Sequence, residues 1–202
     1  ETATSADEGL ERIDDRPPDC VVSDYNMPGM DGLEFLQAVR EEYPDLPFIL
    51  FTGKGSEAVA SDAIAAGVTD YLQKGSGTEQ YELLANRIEN AVTTHRSQQV
   101  AQQRKERLEL FFQESPLGSI QWDQNLQVER LNEQAENILG YDEAELCGKS
   151  WATIVAEDDR DRAGDTAAKL RTAEGGQYAV NRNVRKDGET RTIEWHNRTV
   201  TD

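Results

Sequence analysis

The chain has 202 residues, of which 39 are acidic and 21 basic, so its formal net charge is −18. This length fits one large domain or two small ones. A strongly negative chain repels nucleic-acid phosphate, which argues against DNA or RNA binding by these residues, and no apolar run is long enough to cross a bilayer. The two cysteines, Cys20 and Cys147, cannot build a disulfide scaffold, so we expect a reducing, cytoplasmic location.

The acidic residues are spread along the whole chain rather than gathered in one tail. Dispersed acids are typical of a folded domain with an acidic coat, whereas a block of acids is typical of a disordered arm. Such a coat repels itself in dilute salt and is screened in molar salt, where the Debye length falls to about 3 Å. We therefore expect adaptation to high salt. The alternative is an ordinary acidic cytosolic protein.

The first part of the chain, residues 1–92, alternates between short apolar runs and helical patterns. The apolar runs are typical of strands in a parallel sheet covered on both faces and occupy residues 20–22, 48–51 and 68–72. Helical periodicity lies between them, at residues 32–42 and 56–66. This alternation predicts a doubly wound α/β domain.

Polar residues follow the three predicted strands at their carboxyl ends. Asp24, Thr52 and Lys74 supply a carboxylate, a hydroxyl and an ammonium group. In open α/β sheets, ligands bind in the crevice beyond the carboxyl ends of the strands. The sequence therefore predicts a polar site at this edge of the sheet.

Residues 79–112 have the pattern of one long helix, whose apolar stripe nearly vanishes between residues 93 and 107. A helix that is polar all round is typical of a solvated connector and also of one half of a dimeric coiled coil. The heptad pattern is too weak to decide between these alternatives.

The last part of the chain changes character. Strands are predicted first, then helices, then two strands joined by a turn at residues 186–189, which together indicate an α+β domain. The predicted strands are 119–123, 128–131, 178–185 and 190–200, and the predicted helices are 132–139 and 158–173.

Residues 21–32, with the sequence VVSDYNMPGMDG, resemble the phospho-acceptor segment of response-regulator receiver domains. Thr52, Lys74 and Tyr71 agree with that family in order and spacing. The resemblance covers residues 1–92 and implies a flavodoxin-like, doubly wound fold.

The resemblance also implies a role for each matching residue. Asp24 would be the phosphorylated residue and a ligand of Mg²⁺, and the backbone carbonyl of Asn26 would be a second ligand. Lys74 and Thr52 would bind the phosphoryl group. Thr52 would move toward that group on phosphorylation, and Tyr71 would turn inward. The side chains of Asn26 and Lys54 occupy positions that tune dephosphorylation in the family.

Two departures from the receiver pattern are visible. Gly75 follows Lys74 where the family usually has proline. The adjacent acid pair that completes the metal site of receivers ends their first strand, whereas this chain is expected to start near the end of the second strand, at residues 1–4. We therefore expect the first strand and its acid pair upstream of Glu1, and weak Mg²⁺ binding by this stretch alone. Residues 14–15 are an acid pair, but their place before two prolines rules them out as a substitute.

Residues 108–202 resemble a PAS domain. The motifs follow the family's order, and they are SPLG at 115–118, NEQA at 132–135, GY at 140–141, ELCGKS at 145–150, EDDR at 157–160 and RKDG at 185–188, with Trp195 beyond them. The family's last strand is expected beyond residue 202. PAS domains often hold a small molecule between sheet and helices.

The PAS ligand cannot be named from the sequence. Cys147 lies in a Glu-Leu-Cys-Gly-Lys turn rather than an Asn-Cys-Arg motif, which argues against flavin adduct chemistry. The 158–173 helix has no histidine to ligate haem. The tryptophans at 122, 151 and 195 are expected in the core or in a pocket wall.

Together the resemblances indicate a haloarchaeal-like protein of two-component signalling, with a receiver at 1–92, a helical linker at 93–107 and a PAS domain at 108–202. The receiver would accept phosphate from a sensor histidine kinase or a phosphotransfer protein, and linker and PAS domain would support a homodimer. The parent protein could also be a hybrid histidine kinase with catalytic domains downstream, a transcription regulator with a downstream DNA-binding domain, or a non-phosphorylated scaffold. Whether the parent is an enzyme stays open.

Overall fold

A computed structural model describes residues 1–53, 57–172 and 176–199 of the chain. The backbone forms two compact units, Glu1–Arg104 and Lys105–Asp202. Lys54, predicted to tune dephosphorylation, lies outside the described residues, as do the predicted ends of the last helix and the last strand at residues 173 and 200. Within the described part of the chain, no helix is both long and apolar enough to span a membrane.

The first unit is a parallel sheet with helices on both faces. Its strands have the order β1-β2-β3, and β1 lies at an edge of this sheet. The elements are α1 (Ala6–Asp15), β1 (Val21–Ser23), α2 (Gly32–Glu42), β2 (Phe48–Thr52), α3 (Glu57–Ala65), β3 (Asp70–Gln73) and the first part of α4 (Glu79–Gln113). This arrangement confirms the predicted doubly wound α/β domain.

Two apolar clusters lie on opposite faces of this sheet. On one face, helices α1, α2 and α3 contribute Ile13, Leu36 and Ala63 to a core built around Phe48 and Leu50 of β2. On the other face, Ile49, Phe51 and Leu72 form a second cluster, and Leu84, Ile88 and Ala91 of α4 pack against it. Every residue of β2 is buried, which explains why its sequence is apolar without alternation.

The first residues of the chain differ from the prediction. Residues 1–4 were expected near the end of a strand, but they contain no strand in the structure. The side chain of Ser5 caps α1 by accepting a hydrogen bond from the backbone of Glu8, and Thr4 donates its backbone and hydroxyl hydrogens to the Glu8 carboxylate. These local hydrogen bonds satisfy backbone groups that a strand would have had to pair across a sheet.

The second unit is α+β, as predicted. Its strands form two separate antiparallel pairs among the described residues, β4 with β5 and β6 with β7. The elements are β4 (Ile120–Trp122), β5 (Val128–Leu131), α5 (Glu133–Leu139), α6 (Glu143–Leu146), α7 (Arg160–Thr172), β6 (Gly176–Val184) and β7 (Thr190–Arg198). Helix α6 and the short 3-10 turn Trp151–Thr153 were not predicted, and a second 3-10 turn, Glu157–Asp159, overlaps the start of the helix predicted at 158–173.

One buried side chain, Asn132, ties the start of the second unit together. Its Oδ1 accepts hydrogen bonds from the backbone N–H groups of Ser119 and Ala135, at 2.7 and 3.0 Å. Its Nδ2 donates to the carbonyls of Phe112 and Leu117, at 3.0 and 2.9 Å. The side chain therefore caps α5 and anchors the end of α4 at the same time.

Candidate functional site

Asp24, Thr52 and Lys74 lie at the carboxyl edge of the parallel sheet, as predicted. Asp24 follows β1 directly, Thr52 is the last residue of β2 and Lys74 follows β3. The backbone N–H of Lys74 donates to the carbonyl of Thr52 at 2.8 Å, which aligns the ends of β2 and β3. The parallel register thus brings together three polar groups that are up to fifty residues apart in the sequence.

Asp24 and Lys74 form an ion pair. Lys74 Nζ donates to Asp24 Oδ2 at 2.5 Å and also lies 5.5 Å from the centre of the Phe51 ring, so the ammonium group is held from two sides. Partial burial raises the pKa of Asp24. The ammonium group and nearby backbone N–H groups outweigh this effect, so the pKa lies below its usual range. Asp24 is therefore a carboxylate at neutral pH.

The second carboxylate oxygen of Asp24 has a different environment. Oδ1 is buried and makes no hydrogen bond of good geometry among the described residues. A buried anionic oxygen without a partner is costly unless a cation or a hydrogen-bond donor reaches it. An oxygen of this kind, with the neighbouring carbonyl of Asn26, suits a hard cation such as Mg²⁺. The described residues contain no cluster of three or more His, Cys, Asp or Glu side chains able to hold a metal.

Gly32 holds the loop that carries Asp24, a role that sequence reasoning missed. Its backbone N–H donates to the carbonyl of Tyr25 at 2.8 Å, directly beside Asp24. A Cβ at this position would lie 2.2 Å from the backbone oxygen of Asp24 and 2.9 Å from Leu50. Only glycine therefore lets the first turn of α2 approach the loop so closely. The sequence signal that could have revealed this role is the position of Gly32 directly after Asp31, which caps α2.

Thr52 and Tyr71 lie on the same face of the sheet. Tyr71 is the register partner of Leu50, and Thr52 is two residues beyond Leu50 along β2. Thr52 is fully buried. The Tyr71 ring packs against the core formed with α1, α2 and α3, and its hydroxyl is buried with no hydrogen-bond partner in the part of the chain that the structure describes.

The second unit contains a cavity between α7 and the β6–β7 hairpin, with a volume of about 70 Å³. Trp122, Trp151 and Trp195 line it, which confirms their expected place in a pocket wall. Trp195 Nε1 donates to Oδ1 of the buried Asn183 at 3.1 Å, and Asn183 Nδ2 donates to the carbonyl of Ile154 at 2.9 Å. Asn183 therefore fixes one indole ring of the wall.

Asp159 and Arg182 anchor the start of α7 to β6, a contact that sequence reasoning also missed. Asp159 Oδ2 accepts from the backbone N–H of Arg182 at 2.7 Å, and Oδ1 accepts from its guanidinium at 2.9 Å. The Arg182 guanidinium and backbone N–H lower the pKa of Asp159 to about 2. The contact pins the helix that forms one wall of the cavity.

Comparison with known proteins agrees with this division of the chain. Residues 1–87 match the family model of the response regulator receiver domain, and residues 128–202 match that of the PAS fold. The chain therefore carries a receiver domain of two-component signalling followed by a PAS domain.

The relatives of this chain are longer proteins. The DNA-binding transcriptional regulator NtrC of Proteus hauseri is 37% identical over 93 residues, which make up 46% of this chain and 19% of that protein. The bacterioopsin transcriptional activator of Halobacterium salinarum is 27% identical over 191 residues, 88% of this chain and 28% of that protein. Among solved structures, the Vibrio cholerae chemotaxis protein CheY4 is 32% identical to this chain. The match covers 44% of this chain and 75% of the CheY4 chain, with a TM-score of 0.41. The chain thus spans less than a third of both curated relatives.

Proposed function

We propose that Asp24 is the phosphorylated residue of this receiver domain. The observation that carries the proposal is the asymmetry of its carboxylate, because Lys74 holds Oδ2 while the buried Oδ1 makes no hydrogen bond of good geometry among the described residues. A carboxylate that is ionised and fixed in position is a competent nucleophile. The place of Asp24 beyond the carboxyl end of β1 leaves it within reach of a donor.

The reaction follows from these groups. The Asp24 carboxylate attacks the phosphorus of a phosphohistidine on a sensor kinase or a phosphotransfer protein. A P–O bond forms, the P–N bond breaks, and its electron pair returns to the imidazole nitrogen. Lys74 pairs with a phosphoryl oxygen of the resulting acyl phosphate, and the Thr52 hydroxyl donates a hydrogen bond to another.

Receiver domains generally use Mg²⁺ for phosphorylation, and Asp24 and the Asn26 carbonyl would hold it here. When bound, the ion neutralises charge on the transferred phosphoryl group. Two oxygen ligands are too few for tight binding, so we propose that the remaining ligands come from an acid pair outside residues 1–202.

Thr52 and Tyr71 form the proposed switch. Thr52 is buried at the end of β2 on the same face as Tyr71, so a move of its hydroxyl toward the phosphoryl group would change the space beside the Tyr71 ring. The unpartnered Tyr71 hydroxyl makes the inward position of that ring costly. Its position is therefore sensitive to small changes in its surroundings.

We propose that the PAS domain acts as a sensor through its cavity and that the linker supports a homodimer. The side chains of residues 96–111, which cover most of the linker and the start of the PAS domain, are exposed. Val100 of the linker is 46% accessible, and Leu108 and Phe111 just beyond it are 70% and 62% accessible. Exposed apolar side chains on a helix favour packing against a second helix. The proposed boundaries are 1–92 for the receiver, 93–107 for the linker and 108–202 for the PAS domain.

The relatives favour one kind of parent protein over the alternatives. NtrC is named a DNA-binding transcriptional regulator, and the Halobacterium salinarum protein is named a transcriptional activator. We therefore propose a transcription regulator as the parent, ahead of a hybrid histidine kinase. A cytoplasmic location is proposed because Cys20 and Cys147 are both free thiols.

The test is phosphorylation of the protein expressed from its complete reading frame, with radiolabelled acetyl phosphate and Mg²⁺. We expect acid-stable, base-labile label in the wild type and in Asp15→Asn, a control at the end of α1, and none in Asp24→Asn. Label retained by Asp24→Asn would reject the assignment. Circular dichroism of both variants excludes unfolding as the cause of a loss.

A further inference from the structure

All three tryptophans of the chain line the cavity between α7 and the β6–β7 hairpin. Its volume of about 70 Å³ corresponds to about five water-sized spheres, which is the space of one small ring. Aromatic walls of this kind favour a flat ligand, because ring faces pack well against indole and lose little conformational freedom.

The lining also constrains the charge of the ligand. Among the described residues, the walls between the indoles consist of apolar or neutral polar side chains and include no charged one, for example Leu126, Ile154, Ala163 and Leu170. An ionised ligand would lose its hydration without gaining a counter-charge. The net charge of −18 adds a penalty for anions. A neutral ligand is therefore favoured.

Among the described residues, two carboxamides of the wall make no hydrogen bond, those of Asn181 and Asn197, and Asn181 is the more buried of the two. Asn183 is engaged with Trp195 and Ile154, as described above. Asn181 lies two residues earlier on the same face of β6, is only 5% accessible and lines the cavity. No hydrogen bond within the described part of the chain involves its carboxamide. A buried carboxamide offers one donor and one acceptor side by side and loses stability when both stay unpaired.

We propose that the cavity binds one neutral, planar heteroaromatic ring with an N–H group next to a C=O group. The Asn181 carboxamide binds this lactam-type edge of the ring through two hydrogen bonds. The proposal names the ligand class of the sensor cavity, so it rests on the sensor function proposed above. It does not depend on phosphorylation of Asp24, which lies in the other unit.

The probes are uracil, 1,3-dimethyluracil and orotate, each titrated into the protein while its tryptophan fluorescence is recorded. Because every tryptophan lines the cavity, the signal reports on this site. Uracil is expected to give a saturable change. The dimethylated ring, which has no N–H group, binds at least tenfold more weakly, and orotate, which adds a carboxylate to the same ring, gives no saturable change. Equal responses to all three, or none to uracil, would overturn the proposal.

The matched variants are Asn181→Leu, which keeps the side-chain size, and Asn90→Leu on the exposed surface of α4. We expect Asn181→Leu to weaken uracil binding at least tenfold and Asn90→Leu to leave it unchanged. Unchanged uracil affinity in folded Asn181→Leu refutes the role of that carboxamide. The ligand comparison on the wild type needs no variant. Acetyl phosphate labelling of the same sample separates the two proposals, since label without uracil binding rejects only the cavity ligand.

Discussion

Lys74 Nζ donates to Oδ2 of Asp24 at 2.5 Å, while Oδ1 of the same carboxylate is buried and makes no hydrogen bond of good geometry among the described residues. The pair is about one third accessible on each side, so screening by solvent keeps its contribution to stability small, about 0–1 kcal/mol. Its importance is chemical, because the ammonium group helps to keep the carboxylate ionised and fixes the position of one of its oxygens.

Removing the ammonium group is expected to raise the pKa of Asp24. In Lys74→Gln the effect of burial, which favours the neutral acid, is no longer outweighed by the nearby cation. Carboxyl ¹³C NMR titration measures the shift. The control Arg96→Gln breaks the separate ion pair with Asp19 and leaves the Asp24 titration unchanged. A lower or equal pKa in Lys74→Gln would show that the ion pair does not set the charge of Asp24.

Gly32→Ala is expected to destabilise the first unit by about 3 kcal/mol, the upper part of the range for overpacking. The new Cβ would clash with the backbone oxygen of Asp24, and backbone atoms cannot move aside as a flexible side chain can. Gly75→Ala is the matched control, since a Cβ there meets nothing within 4 Å. Hydrogen exchange of the β2 amides in denaturant measures the unfolding free energy of the first unit in both variants. Equal stability of the two variants contradicts the close approach.

Tyr71→Phe is expected to leave the first unit as stable as the wild type or to stabilise it by about 1 kcal/mol. The change removes a buried hydroxyl that has no partner in the described structure, and an unpaired buried polar group is itself destabilising. Tyr81→Phe, on an exposed ring, serves as the near-neutral reference. Hydrogen exchange again reports stability. A clear loss in Tyr71→Phe would reveal a hydrogen bond to the hydroxyl.

Asn132→Ala is expected to destabilise the second unit by about 3 kcal/mol. The change removes the cap of α5 and four hydrogen bonds, and it leaves the carbonyls of Phe112 and Leu117 without this donor. Denaturation followed by tryptophan fluorescence measures the second unit alone, because all three tryptophans lie in it. Asn90→Ala, on the exposed surface of α4, is the control. A loss no larger than that of the control means that Asn132 is dispensable.

The stability of the second unit is expected to fall as the pH drops from about 4 toward 2. The folded-state pKa of Asp159 is lowered to about 2 by Arg182, so the carboxylate stabilises the fold above its unfolded value of about 3.9, and this contribution is lost as the pH falls through 2. Asp159→Asn removes this dependence, whereas Asp158→Asn, whose side chain is 80% accessible, retains it. Thermal melts across that pH range test the prediction, and parallel curves for wild type and Asp159→Asn would refute it.

The sequence predicted local structure best where one periodicity dominates. Residues 32–42 and 79–112 were predicted as helices within one residue of α2 and α4, because their apolar spacing or polar composition admits no competing structure. The prediction that residues 1–4 lie near the end of a strand was wrong. Thr4 instead donates hydrogen bonds to Glu8, and Ser5 caps α1. Helix α6, with only four residues, has too short a pattern to be seen.

The sequence by itself determined which groups can perform the chemistry, namely a carboxylate, a hydroxyl and an ammonium group at the ends of three apolar runs. Side-chain chemistry and the order of the apolar runs along the chain can both be read directly from the sequence. Only the tertiary structure decided how these groups are used. It showed that Lys74 holds one oxygen of Asp24 and not the other, that Gly32 must lack a side chain, and that Asn181 lines a cavity walled by tryptophans. These are relationships between atoms far apart in the chain, and packing alone fixes them.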